Sequence, residues 1–222
     1  MTPLALLRIT LVALCAATLS GAIAASETAP GVAPDAALAR LRDGNQRFVA
    51  GALSERAHAP EHRAQLAKGQ HPFAIVIACA DSRVAPELLF DQGLGDLFVI
   101  RNAGNVLDDH VIGSVEYAVE HLHATLVVVL GHSSCGAVTA AVAGGEAPGH
   151  LRAIVDSLAP AVATGSKKPG DAVDNAVRIN AKLSAAALNQ SEPILREAVA
   201  AGTVKIVAAR YDLATGQVEF FP

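Results

Sequence analysis

Four short runs of mainly apolar residues constrain the fold of this chain more than any other feature. They cover residues 73–78, 97–100, 126–130 and 204–208, and two of them read FAIVIA and LVVVL. Strands buried on both faces have this composition, because a parallel sheet carries helices on both sides. A fifth segment, residues 217–221, predicts an added edge strand.

Helical patterns separate these runs. The predicted helices occupy residues 35–49, 60–68, 86–92, 111–122, 137–143, 151–163, 173–189 and 193–201. We expect Asp35 to cap the first of them. The alternation of strands and helices predicts the α/β class, with a central, mainly parallel β-sheet flanked by helices. The length of 222 residues and the absence of an internal boundary predict one domain over 35–222, preceded by a linker at 25–34.

The first 24 residues are typical of a secretory signal peptide. Arg8 supplies positive charge, residues 9–17 are apolar, and Ala22-Ile23-Ala24 has the small-x-small pattern of a cleavage site. An uncleaved membrane anchor is the alternative, since residues 4–25 could nearly span a bilayer. With cleavage, we expect a periplasmic or secreted protein without stable membrane insertion.

Composition excludes several classes of protein. Hydrophobic residues make up 52% and charged residues 17%, which excludes a disordered chain. The net charge is -4 without a dense basic run, so a nucleic-acid partner held by phosphate contacts is not expected. Three cysteines are too few for a disulfide scaffold.

Two short segments carry residues suited to chemistry, CADSR at 79–83 and HSSCG at 132–136. Cys79 and His132 end predicted parallel strands, so both should lie at the same edge of the sheet. With Cys135 they could form a Cys₂His zinc site whose fourth position takes water or Asp81. The alternatives are a Cys79–Cys135 disulfide, inert thiols beside a core histidine, and a cysteine nucleophile activated by Arg83, whose loop is short for cradling phosphate.

Asp81 and Arg83 are spaced for a bidentate ion pair, because a guanidinium matches the geometry of a carboxylate. The alternative is a surface pair of little energetic value. Beside a metal, Arg83 would keep Asp81 off the ion, whereas a released Asp81 could complete the tetrahedron and close the site.

Four segments resemble the β-class carbonic anhydrases: CADSRV at 79–84, FDQGLGDLFVIRNAGN at 90–105, GHSSCGAV at 131–138, and the tail at 192–221. The likeness covers about residues 35–222. It implies that fold with an extended N-terminal helical arm, one zinc ion per chain, and reversible hydration of carbon dioxide to bicarbonate by hydroxide on the zinc. Cys79, His132 and Cys135 would be the ligands, and Asp81 and Arg83 the catalytic dyad.

The resemblance also implies a substrate pocket. Gln70 matches a glutamine that hydrogen-bonds substrate in the plant-type branch, and Phe98 and Tyr117 match aromatic positions of that pocket. Ala103 is a candidate for its apolar wall, because carbon dioxide is small and apolar. The family places this pocket at a subunit interface, so we expect a homodimer or homotetramer.

One bacterial branch of the family has a tryptophan three residues before its first cysteine, where this chain has Val76 and no tryptophan anywhere. We therefore expect the plant-like, constitutively open active site without bicarbonate allostery. Two other functions remain open: hydrolysis of carbon disulfide or carbonyl sulfide on the same scaffold, and a non-catalytic exported binding module held by a disulfide.

Overall fold

A five-stranded sheet organises the computed structural model, which describes residues 31–54 and 59–221. The strands are β1 (Ala74–Cys79), β2 (Leu97–Asn102), β3 (Leu126–His132), β4 (Lys205–Tyr211) and β5 (Val218–Phe220). The helices are α1 (Pro34–Val49), α2 (Pro60–Leu66), α3 (Pro86–Leu89), α4 (Asp109–Glu120), α5 (Gly136–Ala143), α6 (Leu151–Gly165), α7 (Ala172–Asn189) and α8 (Ile194–Ala200). A single 3₁₀ turn, Ala103–Asn105, follows β2.

The strand order is β2-β1-β3-β4-β5, with β5 antiparallel at one edge and the other four strands parallel. The predicted α/β class and the mainly parallel sheet are therefore confirmed. All residues of β1 and β3 are buried, as expected of central strands covered on both faces. The edge strand β2 is only half-buried.

Alternate residues of the central strands face two different helical layers. Ile75, Ile77, Val127 and Val129 pack with residues of α4, α7 and α8. On the other face, Val76, Ala78, Val128 and Leu130 pack with residues of α1 and α3. The helical segment ahead of the sheet thus consists of α1, which packs onto the sheet, and α2, which buries no residue.

Gly131 lets α7 approach the carboxyl end of β3. A Cβ atom there would lie 2.8 Å from Val177 Cγ1 and 3.3 Å from the Val177 carbonyl oxygen. Because a side chain at this position would push α7 outward, the glycine sets how closely that helix packs beside His132.

Two local predictions are wrong. Asp35 does not cap α1: Ala33 is the N-cap residue without a side-chain hydrogen bond, and Asp35 pairs with Lys205 at 2.7 Å. Pro34 occupies the first helical position, so the helix begins one residue earlier than predicted and Asp35 lies inside its first turn. The helix predicted over 86–92 is one turn, because the buried Asp91 adopts a φ of 46° and binds Arg47.

The predicted signal peptide, residues 1–24, and most of the predicted linker, residues 25–34, lie outside the described residues, so the domain boundaries stay predictions. Within residues 31–54 and 59–221, no helix is both long and apolar enough to cross a membrane.

Candidate metal centre

Three predicted ligands meet at the carboxyl edge of the sheet. Cys79 is the last residue of β1 and His132 the last residue of the adjacent parallel strand β3. A turn through Ser134, whose φ is 54°, then brings Cys135 back as the residue before α5. Adjacent parallel strands end at the same edge, which is why residues 53 or more apart in sequence become neighbours.

The ligand atoms of Cys79, His132 and Cys135 all lie within 4.8 Å of one another, and all three residues are buried. Both cysteines are free, with their sulfurs 4.0 Å apart. A disulfide needs about 2.05 Å, so the disulfide interpretation is wrong for this structure. Two sulfurs on one tetrahedral zinc, each bonded at about 2.3 Å, lie about 3.8 Å apart, which fits the observed spacing.

His132 supports the same conclusion. Its side chain is fully buried, and its Nδ1–H donates to the carbonyl oxygen of Ser133 at 2.9 Å. Its Nε2 atom is buried without a hydrogen-bond partner. A metal-ligating histidine typically donates one ring N–H to a carbonyl and offers the other nitrogen to the ion. A buried, unpartnered imidazole nitrogen beside two thiols therefore fits a metal ligand.

The two thiols differ in acidity. The hydrogen bond from Cys135 and the backbone N–H of Gly104 lower the pKa of Cys79 well below its usual value, against the effect of burial. The hydrogen bond to Cys79, together with burial, raises the pKa of Cys135. The pair alone thus favours one thiolate and one thiol. A dication is needed to hold both sulfurs deprotonated, which is the state in which they bind zinc.

Asp81 and Arg83 form the predicted bidentate pair. Arg83 Nε donates to Asp81 Oδ1 at 2.9 Å and Arg83 Nη2 to Asp81 Oδ2 at 2.7 Å, while the Arg83 backbone N–H adds a third bond at 2.9 Å. These donors hold the pKa of the Asp81 carboxyl well below its usual range. Asp81 Oδ2 lies 3.9 Å from His132 Nε2, so an ionised carboxylate borders the metal cluster.

Arg101 also supports the site, and sequence reasoning missed it. Its Nε donates to the carbonyl of Cys79 at 3.0 Å and its Nη2 to the carbonyl of Asp81 at 2.7 Å. It thereby fixes the backbone that carries both residues. The available signal was a charged residue directly after the apolar run of β2, opposite Ala78 in the sheet.

Of the four predicted substrate residues, one lies near the cluster within this chain. Ala103 begins the 3₁₀ turn whose next residue, Gly104, donates to the Cys79 sulfur. It also lines a cavity of about 430 Å³ together with Gly136 and Ala137.

Gln70, Phe98 and Tyr117 lie toward the opposite end of the sheet. Phe98 pairs with Ile75, four residues before Cys79 and hence about 13 Å away along the strand. Tyr117 is 48% exposed and its ring centroid is 6.4 Å from that of Phe98. Gln70 is exposed, ahead of β1. One chain alone does not bring these three side chains to its own cluster.

The family model and the relatives that this chain matches are described as carbonic anhydrases. A family model described as carbonic anhydrase matches residues 74–218. A protein from Mycobacterium tuberculosis named carbonic anhydrase 2 is 45% identical over 192 residues, covering 85% of this chain and 93% of that protein. A carbonic anhydrase from Mycolicibacterium smegmatis is 46% identical over 194 residues, covering 86% and 94%.

Solved structures share the fold. The β-carbonic anhydrase CcaA superposes with a TM-score of 0.67 at 30% identity, covering 83% of this chain and 95% of that chain. One of two tetrameric β-carbonic anhydrases from the fungus Sordaria macrospora gives 0.68 at 27% identity, covering 73% and 86%. The likeness thus extends over most of the sheet and its helices.

Proposed function

This chain belongs to the β-class carbonic anhydrases, and from that membership we infer that it catalyses the reversible, zinc-dependent hydration of carbon dioxide to bicarbonate and a proton. The observation that carries the inference is the buried Cys79-His132-Cys135 cluster with its unpartnered imidazole nitrogen. Each relative and solved structure named above is a carbonic anhydrase, which favours carbon dioxide over its sulfur analogues. The two free cysteines disfavour a disulfide-held binding module.

The three ligands suit a zinc ion. When bound, zinc acts as a Lewis acid that lowers the pKa of water and so supplies hydroxide near neutral pH. Cys79 and Cys135 would hold it as thiolates, and His132 as a neutral imidazole whose orientation the Ser133 carbonyl maintains.

Asp81 is the proposed catalytic carboxylate. Because Arg83 keeps it ionised, it can only accept hydrogen bonds, and its Oδ2 faces the cluster. An attacking water that donates to this oxygen has its lone pair turned toward carbon dioxide. The carboxylate also selects against ligands that lack a hydrogen to donate.

A second copy of the chain completes the proposed substrate pocket. The half-buried edge strand β2 offers an apolar surface for such a copy, with the exposed Leu94 just before it in sequence and the exposed Tyr117 against Phe98. The Sordaria macrospora relatives are described as tetrameric. In the proposed homo-oligomer, Gln70, Phe98 and Tyr117 of one copy line the metal site of the other.

Gln70→Ala is expected to lower the hydration rate about 100-fold, because Gln70 would donate to a substrate oxygen that gains negative charge. Co-expression with a Cys79→Ser chain tests which copy supplies Gln70. If Gln70 acts across the interface, the mixed dimer holds one complete site and activity returns to about half of the wild-type value per dimer. A mixed dimer that stays inactive would show that Gln70 does not serve the neighbouring site. Gln65→Ala, an exposed glutamine on α2, is the matched control and should retain full activity.

Purified chain is expected to contain one zinc per chain and to hydrate carbon dioxide faster as pH rises from about 6 to about 9. The two thiolates neutralise the charge of the ion, so bound water should be less acidic than with three neutral ligands. Titration of Asp81 does not change the rate in this pH range, because its lowered pKa leaves the carboxylate ionised until the pH falls well below 4. Zinc analysis and stopped-flow hydration on one sample give the answer, and a flat profile would contradict this reasoning.

We also propose that the site is of the open type. Support comes from Val76, where the other branch has tryptophan, and from Asp81, which is engaged by three Arg83 donors. The chain is further proposed to act in the periplasm or outside the cell, on the strength of the signal-peptide features of residues 1–24.

A further inference from the structure

A backbone amide donates to one sulfur of the cluster. The N–H of Gly104 lies 3.3 Å from Cys79 Sγ, measured from nitrogen to sulfur, and both residues are buried. A hydrogen bond to a thiolate draws negative charge away from sulfur, and such bonds tune metal–sulfur centres. The direction of this amide therefore governs how strongly Cys79 donates to a metal.

The conformation that aims the amide is a left-handed one. Gly104 has φ 76° and ψ 11°, which glycine adopts without penalty. A Cβ atom there would lie 3.2 Å from both Ala137 Cβ and Leu158 Cδ1. Because glycine is equally free to adopt other conformations, the turn needs a contact from elsewhere to hold it.

Asn180 makes that contact. Its Nδ2 donates to the Gly104 carbonyl oxygen at 3.1 Å, across 76 residues of sequence. Asn180 is 6% exposed and lies in the interior of α7. Asparagine is a poor helix former, and a buried amide is costly without a partner, so Asn180 lowers stability in both respects unless its amide is hydrogen-bonded. The bond to Gly104 accounts for its presence.

We propose that Asn180 is a positioning residue for the metal centre. It holds the Gly104 carbonyl, so that the peptide on the other side of the same residue presents its N–H to Cys79. The inference rests on the proposed zinc site. Without the amide, both peptides flanking Gly104 can rotate and the N–H···S contact weakens. The Cys79 sulfur is then less well ordered, which lowers its affinity for a metal ion.

The test compares Asn180→Ala with wild type, each loaded with cobalt(II) and, separately, with zinc. The sulfur-to-cobalt charge-transfer band should move to lower energy in the variant, because a thiolate that loses a hydrogen bond is a stronger electron donor. The zinc dissociation constant should rise about 10- to 100-fold. Neither readout depends on catalytic activity.

Asn45→Ala is the matched control. Asn45 is 7% exposed, and its Nδ2 donates to the carbonyls of Leu89 at 3.1 Å and Gly216 at 2.9 Å. It lies on α1, which packs on the face of the sheet opposite α7. The same substitution there removes comparable buried bonds, so it should lower thermal stability while leaving the cobalt band and zinc affinity unchanged.

Several results would overturn the inference. A folded Asn180→Ala with an unchanged band and unchanged zinc affinity does so, as does an Asn45→Ala variant that shifts both equally. Asn180→Leu, which keeps a similar size but has no donor, should behave like Asn180→Ala. Independently of any variant, cadmium-113-loaded wild type should show scalar coupling between the metal and the Gly104 amide proton, and its absence refutes the N–H···S bond. A wild-type chain that binds no metal ion overturns the proposed function as well.

Discussion

Cys79→Ser is expected to abolish zinc binding and carbon dioxide hydration together. Serine replaces an acidic thiol with a hydroxyl that does not lose its proton near neutral pH, and zinc ligands must be deprotonated. His132 and Cys135 would remain as two ligands, one fewer than the three that catalytic zinc sites typically use. The zinc content measured by elemental analysis should fall from about one ion per chain to about none, and carbon dioxide should hydrate at the uncatalysed rate.

Stability should change in the same variant, because an ion that binds the folded chain alone stabilises it by mass action. Adding zinc should raise the unfolding temperature of wild type but not of Cys79→Ser. Ser82→Ala, the exposed neighbour within the same loop, is the control and should keep both zinc and activity. A Cys79→Ser chain that retains a full complement of zinc would remove Cys79 from the ligand set.

Asp81→Asn is expected to keep zinc but lose about 100-fold or more of kcat, the range typical of a positioned acid–base group. Asp81 is not one of the three clustered ligands, so zinc content should stay at one per chain. The amide presents an N–H₂ group where the carboxylate only accepts, and it carries no charge to engage Arg83 bidentately. Zinc analysis and stopped-flow kinetics on the same preparation separate the two effects.

Asp156→Asn is a matched control for that variant. Asp156 also pairs with an arginine, Arg152, at 2.9 Å, but on the exposed side of α6. Exposed pairs contribute about 0–1 kcal/mol, so this change should leave both stability and turnover nearly as they are. Wild-type turnover in Asp81→Asn would exclude Asp81 from the mechanism, and equal losses in both variants would indicate a general effect of removing an ion pair.

Local patterns were enough to predict the strands and to place Cys79 and His132 together, whereas the resemblance to a known family favoured zinc over a disulfide. Continuous apolar runs identify buried parallel strands, and parallel strands place their last residues at one edge, so Cys79 and His132 could be brought together without coordinates. The cap predicted at Asp35 is wrong because Pro34 begins the helix, which places Asp35 beyond the capping position. Arg101 and Asn180 act through backbone carbonyls distant in sequence, and no spacing rule reports such contacts.

The residues of the substrate pocket could be predicted only from the family resemblance. Gln70, Phe98 and Tyr117 were assigned by resemblance, and within one chain they lie far from the cluster along the strand direction. A pocket assembled from two copies has no signature in local pattern, only an exposed aromatic such as Tyr117 and an incompletely buried edge strand.

The 4.0 Å separation of the Cys79 and Cys135 sulfurs has a consequence for durability. The same closeness that suits a shared ion leaves only about 2 Å of approach before the sulfurs can cross-link. In an oxidising medium, removal of the ion by a chelator therefore allows the two cysteines to form a disulfide, which a bound ion prevents. Once cross-linked, the chain cannot reload until a reductant restores both thiols, so the ion protects the site as well as activating it.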